Sequence, residues 1–219
     1  MKKKFDINRL TMTAMLCALA YIVMVVGRIP VVLFLSYDPK DVVIALGGLI
    51  WGPWMAFTVS VAVSFIEMLT VSSTGWIGLI MNILSTCAFA CTASVIYKKK
   101  RTLSGAVIGL LVGSIAAVSA MMLWNYLITP LYMGIPRSAV AQLLLPAFLP
   151  FNLLKSGLNA SFTFLLYRPV ISALRRTDFI DESKSKNSQT RKTNYGYLIV
   201  AILIIITCLL FILSLNGII

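Results

Sequence analysis

Pro150-Phe151-Asn152-Leu153-Leu154-Lys155-Ser156-Gly157-Leu158-Asn159-Ala160-Ser161-Phe162 is the stretch on which the fold turns. Its apolar content reads as a membrane-spanning helix, yet a lysine sits within it and an asparagine lies one turn to either side. A charged side chain at such depth costs about 2.5–3.5 kcal/mol on insertion scales, so it faces a cavity or a partner rather than lipid. Offsets of three and four residues put Asn152, Lys155 and Asn159 on one helical stripe, opposed by Phe151, Leu154, Leu158 and Phe162. One cation and two amides in line make the wall of a polar-ligand pocket.

The rest of the chain supplies the membrane that this reading requires. Of 219 residues, 59% are hydrophobic and only 12% charged, far from a soluble globular domain. Several apolar runs reach the ~20 residues that cross a hydrocarbon core. The fold class expected is therefore an all-α integral membrane protein. Lys2, Lys3, Lys4 and Arg9 precede the first run, Leu10–Gly27, but its length and the lack of a small-residue cleavage site favour a retained helix over a signal peptide.

The formal net charge of +12 does not point to nucleic acid, because of where it lies. Apart from Arg28, Lys40, Arg137 and Lys155, every Lys and Arg falls in Met1–Arg9, Lys98–Arg101 or Arg168–Lys192, each beside an apolar run. That is the positive-inside pattern, with anionic lipid as the sufficient partner and the N-terminus on the cytoplasmic side of the cell membrane. Cys17, Cys87, Cys91 and Cys208 all lie in apolar segments and read as small hydrophobes, not disulfides. Without histidine the chain lacks the commonest proton relay, and no metal site is expected.

Taken in order, the first span exits near Arg28. Arg28–Asp41, with Pro30, Pro39 and the apolar patch Val31–Leu35, reads as an irregular segment folded back into the mouth of the protein. A short second helix, Val42–Trp51, ends at Gly52-Pro53. Further spans are expected over 54–71, 76–97 and 103–128, the last stopping at Thr129-Pro130. Residues 131–149 read as an outer loop with a short interfacial helix. A sixth helix runs from Pro150 to Tyr167-Arg168-Pro169. The domain plan is a six-helix membrane domain over 1–172, a polar, disordered cytoplasmic linker over 173–194, and an extra lipid-facing helix within 195–219.

On this topology the polar groups gather in the outer leaflet. At about 1.5 Å per residue, Lys155 lies roughly 8 Å and Asn82 about 9 Å below the outer ends of their helices. Asn125, Asn152 and Glu67 lie within a turn of theirs, with Tyr37, Asp38, Lys40 and Asp41 above. The inner halves carry little beyond Ser and Thr, so the pattern is a cavity open to the outside and not a through-pore. Plainer readings stay open: Asn82 as a helix–helix hydrogen bond, Glu67 as solvated or paired with Arg28 or Lys40, Asn125 as part of an aromatic belt with Trp124 and Tyr126, Lys155 as snorkelling. Trp51, Trp54 and Trp76 read as interfacial anchors. Ala14 and Ala18 give the first helix a small-xxx-small face, and Gly105, Gly109 and Gly113 form a second small stripe that packs within the bundle.

Four stretches carry a family likeness: Tyr37-Asp38-Pro39-Lys40-Asp41-Val42, the segment from Gly47-Gly48 to Gly52-Pro53, Trp124-Asn125-Tyr126-Leu127-Ile128-Thr129-Pro130-Leu131-Tyr132-Met133-Gly134, and Leu145-Pro146 to Pro150-Phe151-Asn152-Leu153-Leu154-Lys155. In order and spacing, over roughly residues 8–172, the chain resembles the riboflavin-specific S components of energy-coupling factor transporters. The resemblance implies a six-helix substrate-capture subunit that works with a transmembrane coupling subunit and two cytoplasmic ATPases. It implies no enzyme activity and no cofactor, riboflavin being the transported substrate. It further implies that Asn125, Asn152, Lys155 and the re-entrant segment contact the flavin, and that the Ala14–Ala18 face meets the coupling subunit. The seventh helix is extra to the family core. The chemistry agrees, since an isoalloxazine edge alternates carbonyl acceptors with an N–H donor, which asparagine and lysine complement, while Tyr37 and Asp38 suit ribityl hydroxyls. Asn82 and Asn159 complete the candidate set. An S component for another vitamin, a membrane-embedded enzyme using Lys155 and Glu67, and a structural partner subunit are the competing readings. No Gly-x4-Gly-Lys-Ser/Thr loop is present, so ATP hydrolysis through a P-loop is excluded.

Overall fold

The computed structural model describes residues 7–32, 35–72, 74–175 and 195–215. Lys2, Lys3, Lys4, the centre of the Val31–Leu35 patch and 176–194 of the expected linker lie outside the described residues. The elements run α1 (Ile7–Gly27), β1 (Ile29–Val32), β2 (Leu35–Tyr37), α2 (Lys40–Trp51), α3 (Pro53–Thr70), α4 (Gly75–Thr86), α5 (Thr92–Lys99), α6 (Leu103–Met133), α7 (Arg137–Leu143), α8 (Leu149–Arg175) and α9 (Tyr195–Leu215). Five helical stretches among the described residues are long and apolar enough to cross a membrane.

The centre of the bundle is α2, buried from Lys40 through Leu49 among α1, α3, α5 and α8. Twelve residues rise only about 18 Å, too little to cross a ~30 Å core, and α2 turns at Gly52 directly into the longer α3. Gly52 adopts a φ of +104° that L-residues resist, and Pro53 starts α3 at the position where its missing N–H costs nothing. The glycine stripe of α6 packs against α5 and the turn before it. A Cβ on Gly113 would stand 2.5 Å from the Phe89 carbonyl oxygen, and one on Gly109 2.7 Å from that of Ala93.

Several sequence expectations are corrected. Arg28–Asp41 is not irregular: β1 and β2 pair antiparallel, Ile29 opposite Tyr37, and α2 already begins at Lys40. A hairpin pairs its own backbone groups, which is what a segment folded into a membrane bundle requires. The run expected over 76–97 extends to Lys99 and contains one wider π turn, Cys87–Cys91, between α4 and α5. α6 does not stop at Thr129 but continues through Pro130 to Gly134, whose φ of +65° closes it. α8 likewise runs through Pro169 to Arg175, three residues into the expected linker. Pro130 is buried in the bundle, where water does not compete for the freed carbonyl and the helix is the better alternative; Pro169 is exposed, and its helix runs on through it.

The seventh helix is also not wholly lipid-facing. Ile202, Leu203, Ile206 and Leu210 are exposed, but Ala201 is buried, and Ile205 and Cys208 pack beside Leu154 and Leu158 of α8. That contact helps to bury Leu154 and Leu158, whereas Phe151 is buried with Leu35, Val140 and Phe148 and lines the same cavity as Asn152 and Lys155.

Candidate ligand-binding site

One end of the bundle gathers the β-hairpin, the start of α2, the end of α3, the starts of α4 and α8, and the last third of α6. Between them lies a polar cavity open at its mouth. Its polar lining comes chiefly from Arg28, Asp38, Glu67, Asn82, Asn152 and Lys155, and its apolar lining from Leu35, Met81, Met121 and Phe151. A smaller recess shares Thr74 and Met81 with it and is lined further by Trp124, Ile128, Thr129 and Tyr132.

Charge is balanced within this wall. Lys155 Nζ lies 3.6 Å from an Asp41 carboxylate oxygen and 3.9 Å from one of Asp38. Lys40, fully buried, donates to Glu67 and lies 3.8 Å from Asp38. Arg28 approaches Glu67 at 3.8 Å from the mouth. Asp41 also accepts from Thr86 Oγ1 at 2.6 Å and from Asn159 Nδ2 at 3.1 Å, and Asn82 Nδ2 donates to Glu67 at 3.0 Å. Three carboxylates thus meet three cations, and every pair but Lys40–Asp38 joins segments distant in sequence. Asp38 lies between β2 and α2, outside the spanning helices. Burial opposes its charge, but Lys155, Lys40 and Arg28 more than offset this and hold its carboxyl below the usual carboxylate range.

The seven residues singled out from sequence do not all reach the cavity. Asn82, Asn152, Lys155 and Asp38 line it. Asn159 lies a turn deeper on α8, bound to Asp41. Tyr37 is buried against Leu154 and Leu158 with its hydroxyl unpartnered. Asn125, wholly buried, accepts from Thr129 Oγ1 at 3.1 Å while its amide nitrogen has no partner. It stands one turn after Met121 of the main cavity and one turn before Thr129 of the recess, between the two spaces. Asn152 uses one amide N–H on Phe148 O at 2.8 Å, leaving the other and its carbonyl oxygen. Ala14 and Ala18 are exposed on the outer face of α1, away from the cavity, beside Met15, Leu19 and Ile22.

Glu67 and Asp41 are the residues that sequence reasoning undervalued. Glu67 is paired as well as buried, and it ties Arg28, Lys40 and Asn82 to α3. The signal was its stripe: Ser60, Ser64 and Glu67 are all buried, at spacings of four and three on α3. Asn82 satisfies both of its readings, since its helix–helix hydrogen bond forms part of the cavity wall.

Comparison with known proteins adds a family to this geometry. Residues 8–167 match the family model for the substrate-specific component of ECF transporters. The riboflavin transporter RibU of Staphylococcus aureus (strain TCH60) is 29% identical over 179 residues, covering 77% of this chain and 93% of that protein. A solved S component of a bacterial ECF transporter superposes with a TM-score of 0.66 at 26% identity, covering 77% of this chain and 98% of the other.

Proposed function

We propose that this chain, which belongs to the family of substrate-specific components of ECF transporters, captures riboflavin in the hairpin-end cavity for uptake across the cell membrane. The observation that carries the reading is the wall in which Asn82, Asn152 and Lys155 stand over Met81, Met121 and Phe151. A flavin offers a flat apolar ring with carbonyl and N–H groups along one edge, and amides and an ammonium over an apolar floor complement it. The name of the Staphylococcus aureus relative supports the same substrate.

Charge balance refines the assignment of roles. Because Asp38 and Asp41 already neutralise Lys155, its part is to donate a hydrogen bond to a ring carbonyl, not to attract an anion. The free amide nitrogen of Asn125 supplies a further donor between cavity and recess, and Asp38 accepts from ribityl hydroxyls. Tyr37 and Asn159 act behind the wall, Tyr37 by packing and Asn159 by fixing Asp41.

Uptake then requires an energy source outside this chain. A transmembrane coupling subunit meets the small-residue face of α1 at Ala14 and Ala18, and two cytoplasmic ATPases drive the cycle. The N-terminus is cytoplasmic, which opens the cavity to the outside. The chain divides into a substrate-binding domain over 1–172, a linker over 173–194 and an added membrane helix over 195–219. Quenching of flavin fluorescence by the purified protein tests the substrate. Saturable quenching at sub-micromolar riboflavin is expected, and none at micromolar riboflavin would remove the assignment.

A further inference from the structure

We infer that α9 is a positioning element for the binding site, acting through Ile205 and Cys208 on the hairpin wall of the cavity. This rests on the reading of that cavity as the substrate site. The β1–β2 hairpin supplies Leu35 and Ser36 to the lining and leads into Asp38. Its strands have only four and three residues. A lone two-stranded hairpin of that size is marginal, so its place depends on what it packs against.

Two apolar clusters hold it. On one side Leu35 packs with Val140 and Phe148 from the segment leading into α8 and with Phe151 of its first turn. On the other, Tyr37 sits with Leu154 and Leu158 of α8, and Val31 of β1, Ile205 and Cys208 of α9 close that cluster. α9 touches β1 as well as α8. Gly157 allows the approach: a Cβ there would lie 3.6 Å from Ile204 Cγ2 and 3.9 Å from Cys208 Sγ, so anything longer than alanine would push α9 outward. Without α9, Tyr37 and Val31 would lose part of their apolar cover, and on that side the wall bearing Asp38 would rest on α8 alone. The family match ends at residue 167, so this support lies outside the part of the chain that the family defines.

Support from behind a wall acts on escape more than on entry, because the open mouth stays as it is. Stopped-flow flavin quenching on the full chain in nanodiscs, with Ile205→Ala/Cys208→Ala and separately Gly157→Leu, separates the two rates. The expected result is a dissociation rate raised about tenfold, equivalent to about 1.4 kcal/mol, with an association rate within about twofold of the parent. Ile202→Ala/Leu203→Ala, on the exposed face of α9, leaves both rates unchanged. A readout without ligand accompanies these: labelling of Ser36→Cys by a membrane-impermeant maleimide, expected to quicken in the Ile205/Cys208 and Gly157 variants. If the parent chain does not quench riboflavin yet labelling quickens, the substrate reading fails and the support by α9 stands. Unchanged labelling and unchanged dissociation in the two contact variants would overturn the inference, as would equal effects from the exposed-face control.

Discussion

Lys155 is held by geometry rather than by depth alone. Its ammonium faces Asp41 and Asp38, and Asp41 is itself fixed by Thr86 and Asn159. Removing the lysine takes away one donor to the ligand; hydrogen bonds involving a charged group contribute about 1.5–3 kcal/mol, or roughly 10- to 150-fold in Kd. Lys155→Ala should weaken riboflavin binding by that range in a quenching titration, and an unchanged Kd would remove Lys155 from the contact set. Glu67→Gln leaves the buried Lys40 without its closest counter-charge. Breaking a buried pair from one side costs about 3–5 kcal/mol, so the melting temperature should fall by at least about 6 °C in a thermal denaturation scan. The carboxyl of Asp38 is held below its ordinary value, so its charge contributes above that value and is lost only as pH falls through the lowered one. Riboflavin affinity should therefore stay level from pH 7 down to about pH 4, the unperturbed aspartate value, where titration along that range would expose any earlier loss.

At the scale of elements, the glycine stripe of α6 and the half-length helix α2 place the wall. Gly113 and Gly109 bring α6 against backbone carbonyls of the preceding helical run, and with it Met121 and Asn125 to the cavity end. Gly113→Ala inserts a methyl group where a carbonyl oxygen stands, and overpacking of this kind costs about 1–3 kcal/mol. The variant should melt at a lower temperature and bind more weakly, while Gly134→Ala, which meets nothing within 4 Å, should be destabilised only through its left-handed φ. Sequence located the helices to within a few residues because apolar runs and basic flanks are local signals. It misplaced the ends of α6 and α8: buried Pro130 is carried through by a surrounding bundle that no local window contains, and α8 runs on through the exposed Pro169. The hairpin escaped for the same reason: seven strand residues with two prolines nearby have no periodicity of their own.

For the whole molecule, the cavity and the face proposed for docking a coupling subunit are separate surfaces. The cavity opens at the hairpin end, whereas Ala14 and Ala18 lie on the outward face of α1. Ala14→Leu/Ala18→Leu should therefore quench flavin fluorescence with the parent Kd yet fail to support riboflavin uptake in cells that carry the partner subunits. Uptake at the parent level would exclude that face as the docking surface. α9 attaches to α8 and β1, so the added helix is compatible with the proposed docking at Ala14 and Ala18.

The sequence by itself determined that Lys155, Asn152 and Asn159 share a stripe inside a membrane helix, because helical periodicity is fixed by the backbone and the cost of a charge in lipid is fixed by the solvent. It determined the number and order of apolar runs for the same reasons. Only the tertiary structure decided that Asn82 and Asp38 join the wall, that Asn125 stands between cavity and recess, that Asn159 and Tyr37 stand behind the wall, and that Glu67 and Asp41 bind it together. Those outcomes depend on which helix faces meet, and a buried ion pair between residues as distant as Lys40 and Glu67 exists only once packing has excluded water from both. The lysine in the opening stretch announced a pocket; its counter-charges came from elements that only the fold could bring to it.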